Sequence, residues 1–128
     1  MAISKRWVLL KHLDSQDDSC DFHFDLLLED GDACRTWRLP EIPVIDGPAV
    51  DVKPLPLHNS AWLEKKQDLV SGGRGWAKRV MSGFFVGDLP HNNHEFFAIQ
   101  IQSKLFSAVI QIHQQDSLIR FSSKTCSN

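Results

Sequence analysis

The chain has 128 residues, which is enough for one domain with one hydrophobic core and little more. Its net charge of −2 creates no overall field that would attract nucleic acid, so such binding would need a local basic patch. The three cysteines form no CxxC pair and support neither a disulfide framework nor a zinc knuckle. No apolar run has the length of an export signal or a membrane span. We therefore expect a single cytoplasmic domain over residues 1–128, with its core within about residues 6–121.

Short apolar or alternating segments predict β-strands along the first half of the chain. Strands are expected at residues 7–10, 22–29 and 33–39, and Asp30-Gly31-Asp32 supplies the turn between the last two. The following proline-rich stretch is expected to be irregular, with a short edge strand at residues 49–53. Residues 59–66 form the one predicted helix, about two turns long, capped by Asn59 or Ser60.

The second half predicts only strands and short connections. After a glycine-rich loop at residues 71–75, strands are expected as follows: 76–81, 84–86, 96–102, 105–113 and 118–121. Many short strands with hairpin-length links predict an all-β, mainly antiparallel fold, either a barrel or a sandwich.

His23 and Asp25 are the first candidates for a functional site. In an extended strand successive side chains point to opposite faces, so these two residues share one face, opposite Phe22 and Phe24. An imidazole beside a carboxylate is a suitable start for a divalent metal site. His12, just after the preceding apolar run, is a third candidate ligand. The alternative interpretation is a solvent-exposed polar strand face that binds nothing.

Other polar groups have weaker functional interpretations. Asp14, Asp17 and Asp18 are either alternative oxygen ligands or a solvated turn, and we favour the turn. The loop at residues 71–75 lacks the Lys-Ser/Thr of a nucleotide-binding loop. His91 and His94 have no carboxylate or cysteine next to them and are interpreted as surface residues.

Five motifs occur in the order in which one known family carries its own motifs. They are Lys11-His12, His23-Phe24-Asp25, Arg35-Thr36-Trp37-Arg38-Leu39-Pro40, Leu57-His58-Asn59-Ser60-Ala61-Trp62 and the glycine-rich loop 71–75. The corresponding family motifs are Lys-His-Asp, His-Tyr-Asp, Lys-Ser-Trp-Ala-Val-Pro, His-Pro-Leu-Asp-Tyr and a Pro-Glu-Gly loop. In this order the chain resembles the 3′-phosphoesterase domain of bacterial ATP-dependent DNA ligase D, also called the DNA polymerase/ligase N-terminal domain family. Its small standalone members are the most similar.

The resemblance implies a small β-barrel with one or two short helices. It also implies a divalent metal, manganese or alternatively zinc, held by His12, His23 and Asp25, with His58 contacting the phosphate. The activity it implies is metal-dependent removal of 3′-phosphates or 3′-ribonucleotides from DNA ends during repair. Expected partners are DNA 3′ ends on a primer–template and a repair ligase or polymerase, with no membrane partner.

Two positions depart from the family pattern. The family's phosphate-binding arginine, two residues after the aspartate, is Leu27 here, and a leucine cannot bind phosphate oxygens. The family's tyrosine, four residues after the second-site histidine, is Trp62. We expect Arg35 or Arg74 to replace the missing arginine as a catalytic residue beside His58.

Arg38 and Lys53 are the alternatives to these two arginines. If no cation replaces the family's arginine, the chain is expected to be a non-catalytic module of the same fold that binds metal or DNA ends. A purely structural β domain is the third possibility.

Overall fold

The computed structural model describes residues 4–13, 22–70 and 75–123. Its strands are β1 (Lys5–Leu13), β2 (Phe22–Asp30), β3 (Ala33–Leu39), β4 (Val50–Asp51), β5 (Lys53–Asn59), β6 (Gln67–Leu69), β7 (Trp76–Val86), β8 (Phe97–Gln102), β9 (Ser107–His113) and β10 (Leu118–Ser122). Every strand pair in these regions is antiparallel, which confirms the predicted all-β class.

The strands form one sheet in the order β4-β10-β9-β8-β7-β1-β2-β3-β5, and β6 is added against β7. Hydrogen bonding follows an open path that ends at β4 and β5, so across the described ranges the sheet does not close into a barrel. The predicted helix is a single 3-10 turn at Ser60–Leu63, and the Asn59 side chain caps it by accepting a hydrogen bond from the Ala61 amide. No helix in the described part of the chain is long and apolar enough to cross a membrane.

The sheet curls around its larger hydrophobic cluster. Trp37 of β3 and Phe97 of β8 are separated in the sheet order by β2, β1 and β7, yet their ring centroids lie 5.2 Å apart. The indole nitrogen of Trp7 donates to the Gln102 carbonyl, and that of Trp37 donates to Gln114. Because burial of each large apolar side chain contributes about 1.5–3 kcal/mol, this inner face supplies most of the driving force for folding.

A smaller hydrophobic cluster covers the opposite face of β1, β2 and β3. Its buried members are Val8, Leu10, Leu27, Cys34, Leu63 and Ala77. Leu63 comes from the 3-10 helix, so this helix lies over the strand face that also carries His12, His23 and Asp25. The candidate site therefore occupies the end of a packed face and has a rigid support.

Arg6 joins β1 and β2 to the residue that ends the 3-10 helix. Its guanidinium contacts a Glu29 carboxylate oxygen at 3.2 Å and Glu64 at 3.3 Å, and its backbone amide also donates to Glu29. The hydrogen bond from Arg6 holds the pKa of Glu29 below its ordinary value of 4.5. The pair is partly exposed, so its contribution to stability is modest.

Glu29→Gln is expected to lower the free energy of unfolding by about 1 kcal/mol at neutral pH. Because the pKa of Glu29 is lowered on folding, its contribution is complete above the unfolded value of 4.5 and disappears as the pH falls through the lower folded pKa. Urea unfolding of both proteins, measured at several pH values between about 7 and 3, gives this difference. A difference that stays constant over the whole range would contradict the role given to Arg6.

Candidate metal centre

His12 and His23 face each other across the antiparallel pair of β1 and β2. The register places His12 directly opposite His23, and Leu10 opposite Asp25. Nδ1 of His12 lies 2.8 Å from Nε2 of His23, and the two rings meet edge to face with centroids 4.5 Å apart. Strand pairing therefore brings together two residues that are eleven positions apart in the sequence.

Asp25 completes a set of three possible metal ligands. Its Oδ2 lies 3.9 Å from Nδ1 of His12, and its Oδ1 lies 3.9 Å from Nε2 of His23. All three ligand atoms lie within 4.8 Å of one another. Ligands bound to one ion at about 2.1 Å are separated by roughly 3 Å, so only small side-chain shifts would bring these atoms around an ion. Two imidazoles and a carboxylate are a donor set that suits zinc and manganese.

Arg38 binds Asp25 from the neighbouring strand. The β2–β3 register pairs these two residues directly, and the Arg38 Nε donates to Oδ1 at 3.0 Å while Nη2 lies 3.5 Å from Oδ2. The Asp25 side chain is only 5% exposed, whereas that of Arg38 is 35% exposed. The carboxylate is thus fixed from one side by a guanidinium, as is common for metal-binding carboxylates.

The three possible ligands lie in a cavity of about 660 Å³. Arg38 and His58 line the same cavity, and Leu55, Leu57 and Trp62 form an apolar wall. Nδ1 of His58 lies 3.1 Å from the Pro56 carbonyl oxygen, which can only accept a hydrogen bond. Nδ1 therefore carries the proton, and Nε2 is the nitrogen that can interact with a ligand.

The structure does not bring Arg35 to this cavity. Arg35 pairs with Leu28, whose side chain belongs to the inner cluster, so it projects from the other face of the sheet. Its guanidinium donates to the Pro90 carbonyl and lies over the ring of Trp37 at 5.5 Å. The expectation that Arg35 acts beside His58 is therefore not supported by its position.

The other predicted site residues have different outcomes. Arg74 and the acidic residues Asp14, Asp17 and Asp18 lie outside the described residues. Lys53 begins the edge strand β5 and does not line the cavity. Alternation in β3 is the signal that would have separated Arg38 from Arg35, because Trp37 marks the inner face and its two neighbours must point outward.

Leu27, at the position of the family's arginine, is fully buried in the smaller cluster. Its partner on β3 is Thr36, which is also buried. A cation at position 27 would have to displace this packing, so this position supplies no positive charge to the cavity. Cys34 belongs to the same cluster, and burial raises the pKa of its thiol to about 11, which makes it a poor nucleophile at neutral pH.

No second group of this kind was found across residues 4–13, 22–70 and 75–123, where His12, His23 and Asp25 are the one set of three possible metal ligands. His91 and His94 lie in an exposed loop whose backbone amides are held by Asn92 and Glu95.

No protein-family model matches the chain, and no curated protein matches it. The resemblance to the ligase D phosphoesterase domain stays a prediction.

Proposed function

We propose that the protein is a metal-dependent phosphoesterase that processes 3′ ends of DNA, removing a 3′-phosphate or a 3′-ribonucleotide during repair. The main observation in favour is that His12, His23, Asp25, Arg38 and His58 all line one cavity. A metal-ligand set, a cation and a free imidazole nitrogen are the groups that phosphate-ester hydrolysis requires. The resemblance described above supplies the choice of DNA 3′ ends as the substrate.

His12 and His23 would hold the ion through Nδ1 and Nε2, and Asp25 would hold it through its carboxylate. A bound divalent ion supplies Lewis acidity, which neutralises charge on a phosphoryl group. Manganese is the expected metal and zinc the alternative, because this donor set suits both.

His58 is the proposed proton donor. Its Nδ1–H is held by the Pro56 carbonyl, so in the protonated ring Nε2–H can donate to a phosphate oxygen or to the leaving oxygen. In the hydrolysis of a 3′-phosphate, a water oxygen bonds to phosphorus as the bond from phosphorus to O3′ breaks. The proton from His58 then converts O3′ to a hydroxyl group, which a ligase can use.

The apolar wall is proposed to bind the terminal nucleoside. Trp62 lines the same cavity as the possible metal ligands and belongs to the capped 3-10 helix, while the Lys65 ammonium lies 4.8 Å from its ring centroid. An aromatic face that lines the cavity can stack on any base, so this contact would give affinity without sequence preference.

Trp62→Ala is expected to raise KM for a 3′-phosphorylated primer about tenfold and to change kcat little, because base stacking is worth roughly 1–3 kcal/mol. Trp62→Phe keeps an aromatic face and should stay close to the unmodified protein. Steady-state kinetics with both variants, checked for folding by circular dichroism, measures this. Equal KM values for the alanine variant and the unmodified protein would exclude Trp62 from substrate binding.

A gel assay tests the proposed function directly. The substrates are primer–templates that carry either a 3′-phosphate or a single 3′-ribonucleotide, incubated with manganese-loaded protein. Dephosphorylation or shortening of the primer is expected, and it should be lost with His23→Ala. His94→Ala removes a histidine from an exposed loop and is the matched control. Turnover that persists in His23→Ala would contradict the proposal.

The burial of Leu27 favours a second candidate, a module of the same fold that binds metal or DNA ends without catalysis. This module would lack the arginine with which the family binds phosphate. Salt-sensitive binding to DNA ends without turnover in manganese, zinc or magnesium would identify it.

A further inference from the structure

Arg38 brings a positive charge to the cavity. Among the cavity-lining residues that the structure describes, it is the one lysine or arginine. Lys11, on the neighbouring strand β1, does not line the cavity, and its ammonium lies 4.2 Å from the ring centroid of Phe22. An anion that enters the cavity would therefore meet the Arg38 guanidinium.

The Arg38 guanidinium is also oriented by Asp25 and keeps N–H donors for such an anion. It has five N–H donors, of which the contacts with Asp25 use one on Nε and one on Nη2. Within the described ranges Asp25 is its one hydrogen-bonded acceptor. Both N–H groups of Nη1 and one N–H group of Nη2 can therefore donate to another acceptor. The buried carboxylate fixes the plane of the group, while the more exposed guanidinium can reach the cavity.

We propose that Arg38 binds the terminal phosphate of the substrate and makes the site selective for a phosphomonoester over a 3′-hydroxyl end. The identity of the anion rests on the proposed function. A guanidinium fork matches two oxygens of a phosphate group, and a terminal phosphate offers three nonbridging oxygens. Asp25 orients Arg38 and is also one of the three possible metal ligands, so this pair of residues links the candidate metal site to the substrate phosphate.

Binding of a DNA end that cannot be hydrolysed separates this proposal from catalysis. The probe is a fluorescent primer–template that ends in a 3′-methylenephosphonate, and its affinity is compared with that of the same DNA ending in a 3′-hydroxyl. With the manganese-loaded protein, anisotropy should show about tenfold tighter binding of the phosphonate end. Arg38→Gln should lose most of this preference and keep only the part that the metal and His58 supply, and Arg38→Lys should keep more of it than Arg38→Gln.

Two controls distinguish phosphate binding from other effects. Arg120→Gln makes the same change at an exposed position on β10 and should keep the full preference. Arg38 also fixes Asp25, so Arg38→Gln is expected to bind manganese about 10–100-fold more weakly, and both proteins are compared at manganese concentrations that saturate them. A phosphonate preference that returns to the unmodified level in Arg38→Gln once manganese is saturating would show that Arg38 acts only by positioning Asp25, which would overturn the proposal.

The remaining outcomes are also decisive. A phosphonate preference that is as large in Arg38→Gln as in the unmodified protein, or that is absent from the unmodified protein, would overturn the role of Arg38. A preference that depends on Arg38 without any turnover of a true 3′-phosphate would support Arg38 and contradict the proposed enzyme. Turnover of a true 3′-phosphate, together with a phosphonate preference that Arg38→Gln leaves unchanged, would support the proposed enzyme and contradict the role of Arg38.

Discussion

Asp25→Asn is expected to reduce turnover of a 3′-phosphorylated primer at least about a thousandfold, because a metal Lewis acid supplies several kcal/mol and each 1.36 kcal/mol is a factor of ten in rate. Asp25 is the one anionic member of the ligand set, and both of its oxygens also contact Arg38. An amide is a weaker ligand for a divalent ion and cannot form the ion pair. The substitution therefore affects the metal and the guanidinium together.

Single-turnover kinetics at saturating manganese measures this effect. Asp30→Asn is the matched control, because Asp30 ends the same strand in an exposed position and should retain normal activity. The Asp25 variant should stay folded, since the partly exposed Arg38 can turn toward water. Activity of Asp25→Asn within about tenfold of the unmodified protein would exclude a ligand role for Asp25.

Gly83→Ala is expected to lower the free energy of unfolding by about 3 kcal/mol or more. A Cβ atom at this position of β7 would lie 1.7 Å from the Gln102 carbonyl oxygen and 2.7 Å from its carbon. The obstacle is the backbone of β8, which also accepts the Trp7 indole hydrogen bond, so no side-chain rotation can relieve the overlap. The two strands would have to separate.

Urea unfolding measures this cost, with Gly31→Ala as the comparison. A Cβ atom at Gly31 meets no atom within 4 Å, so its cost comes from the backbone φ of 65° and should be about 1–2 kcal/mol. A Gly83 variant no less stable than the Gly31 variant would show that β7 and β8 do not approach as closely as described.

The strand pattern and the polar face of β2 could be predicted from the sequence. Alternation in residues 22–29 is sufficient to place His23 and Asp25 on the same side of a strand, because the side-chain period of a strand is two. The turn at Asp30-Gly31-Asp32 is predicted by its Asp-Gly sequence, and Gly31 has the positive φ that such a turn needs. Both features depend on neighbouring residues alone.

Features that depend on pairing could not be predicted in the same way. The strand β5 lies within a proline-rich segment, and its position at the edge of the sheet is what permits Pro54 and Pro56. Its pairing with β3 brings His58 and the apolar wall to the cavity, a contact between distant segments that no local pattern encodes. The predicted two-turn helix is shorter because the chain soon joins β7 as β6.

The motif alone did not predict which of Arg35 and Arg38 lies at the candidate site. Arg35 lies two residues before Trp37 and Arg38 lies directly after it, and the matched family motif includes both arginines. Because three positions separate them, they must lie on opposite faces of β3. Only Arg38 shares the face of Asp25, and this follows once Trp37 is recognised as a residue of the inner cluster.

Manganese binding tests the central claim most directly. The free Mn²⁺ signal in electron paramagnetic resonance is followed while the ion is added to the unmodified protein, to His12→Ala, to His23→Ala and to Asp25→Asn. We expect one ion per chain in the unmodified protein, and affinity at least about 100-fold weaker in each variant, since loss of a ligand should cost at least as much as loss of a residue that supports one. Absence of binding by the unmodified protein, or equal binding by the three variants, would contradict a metal centre built from these residues.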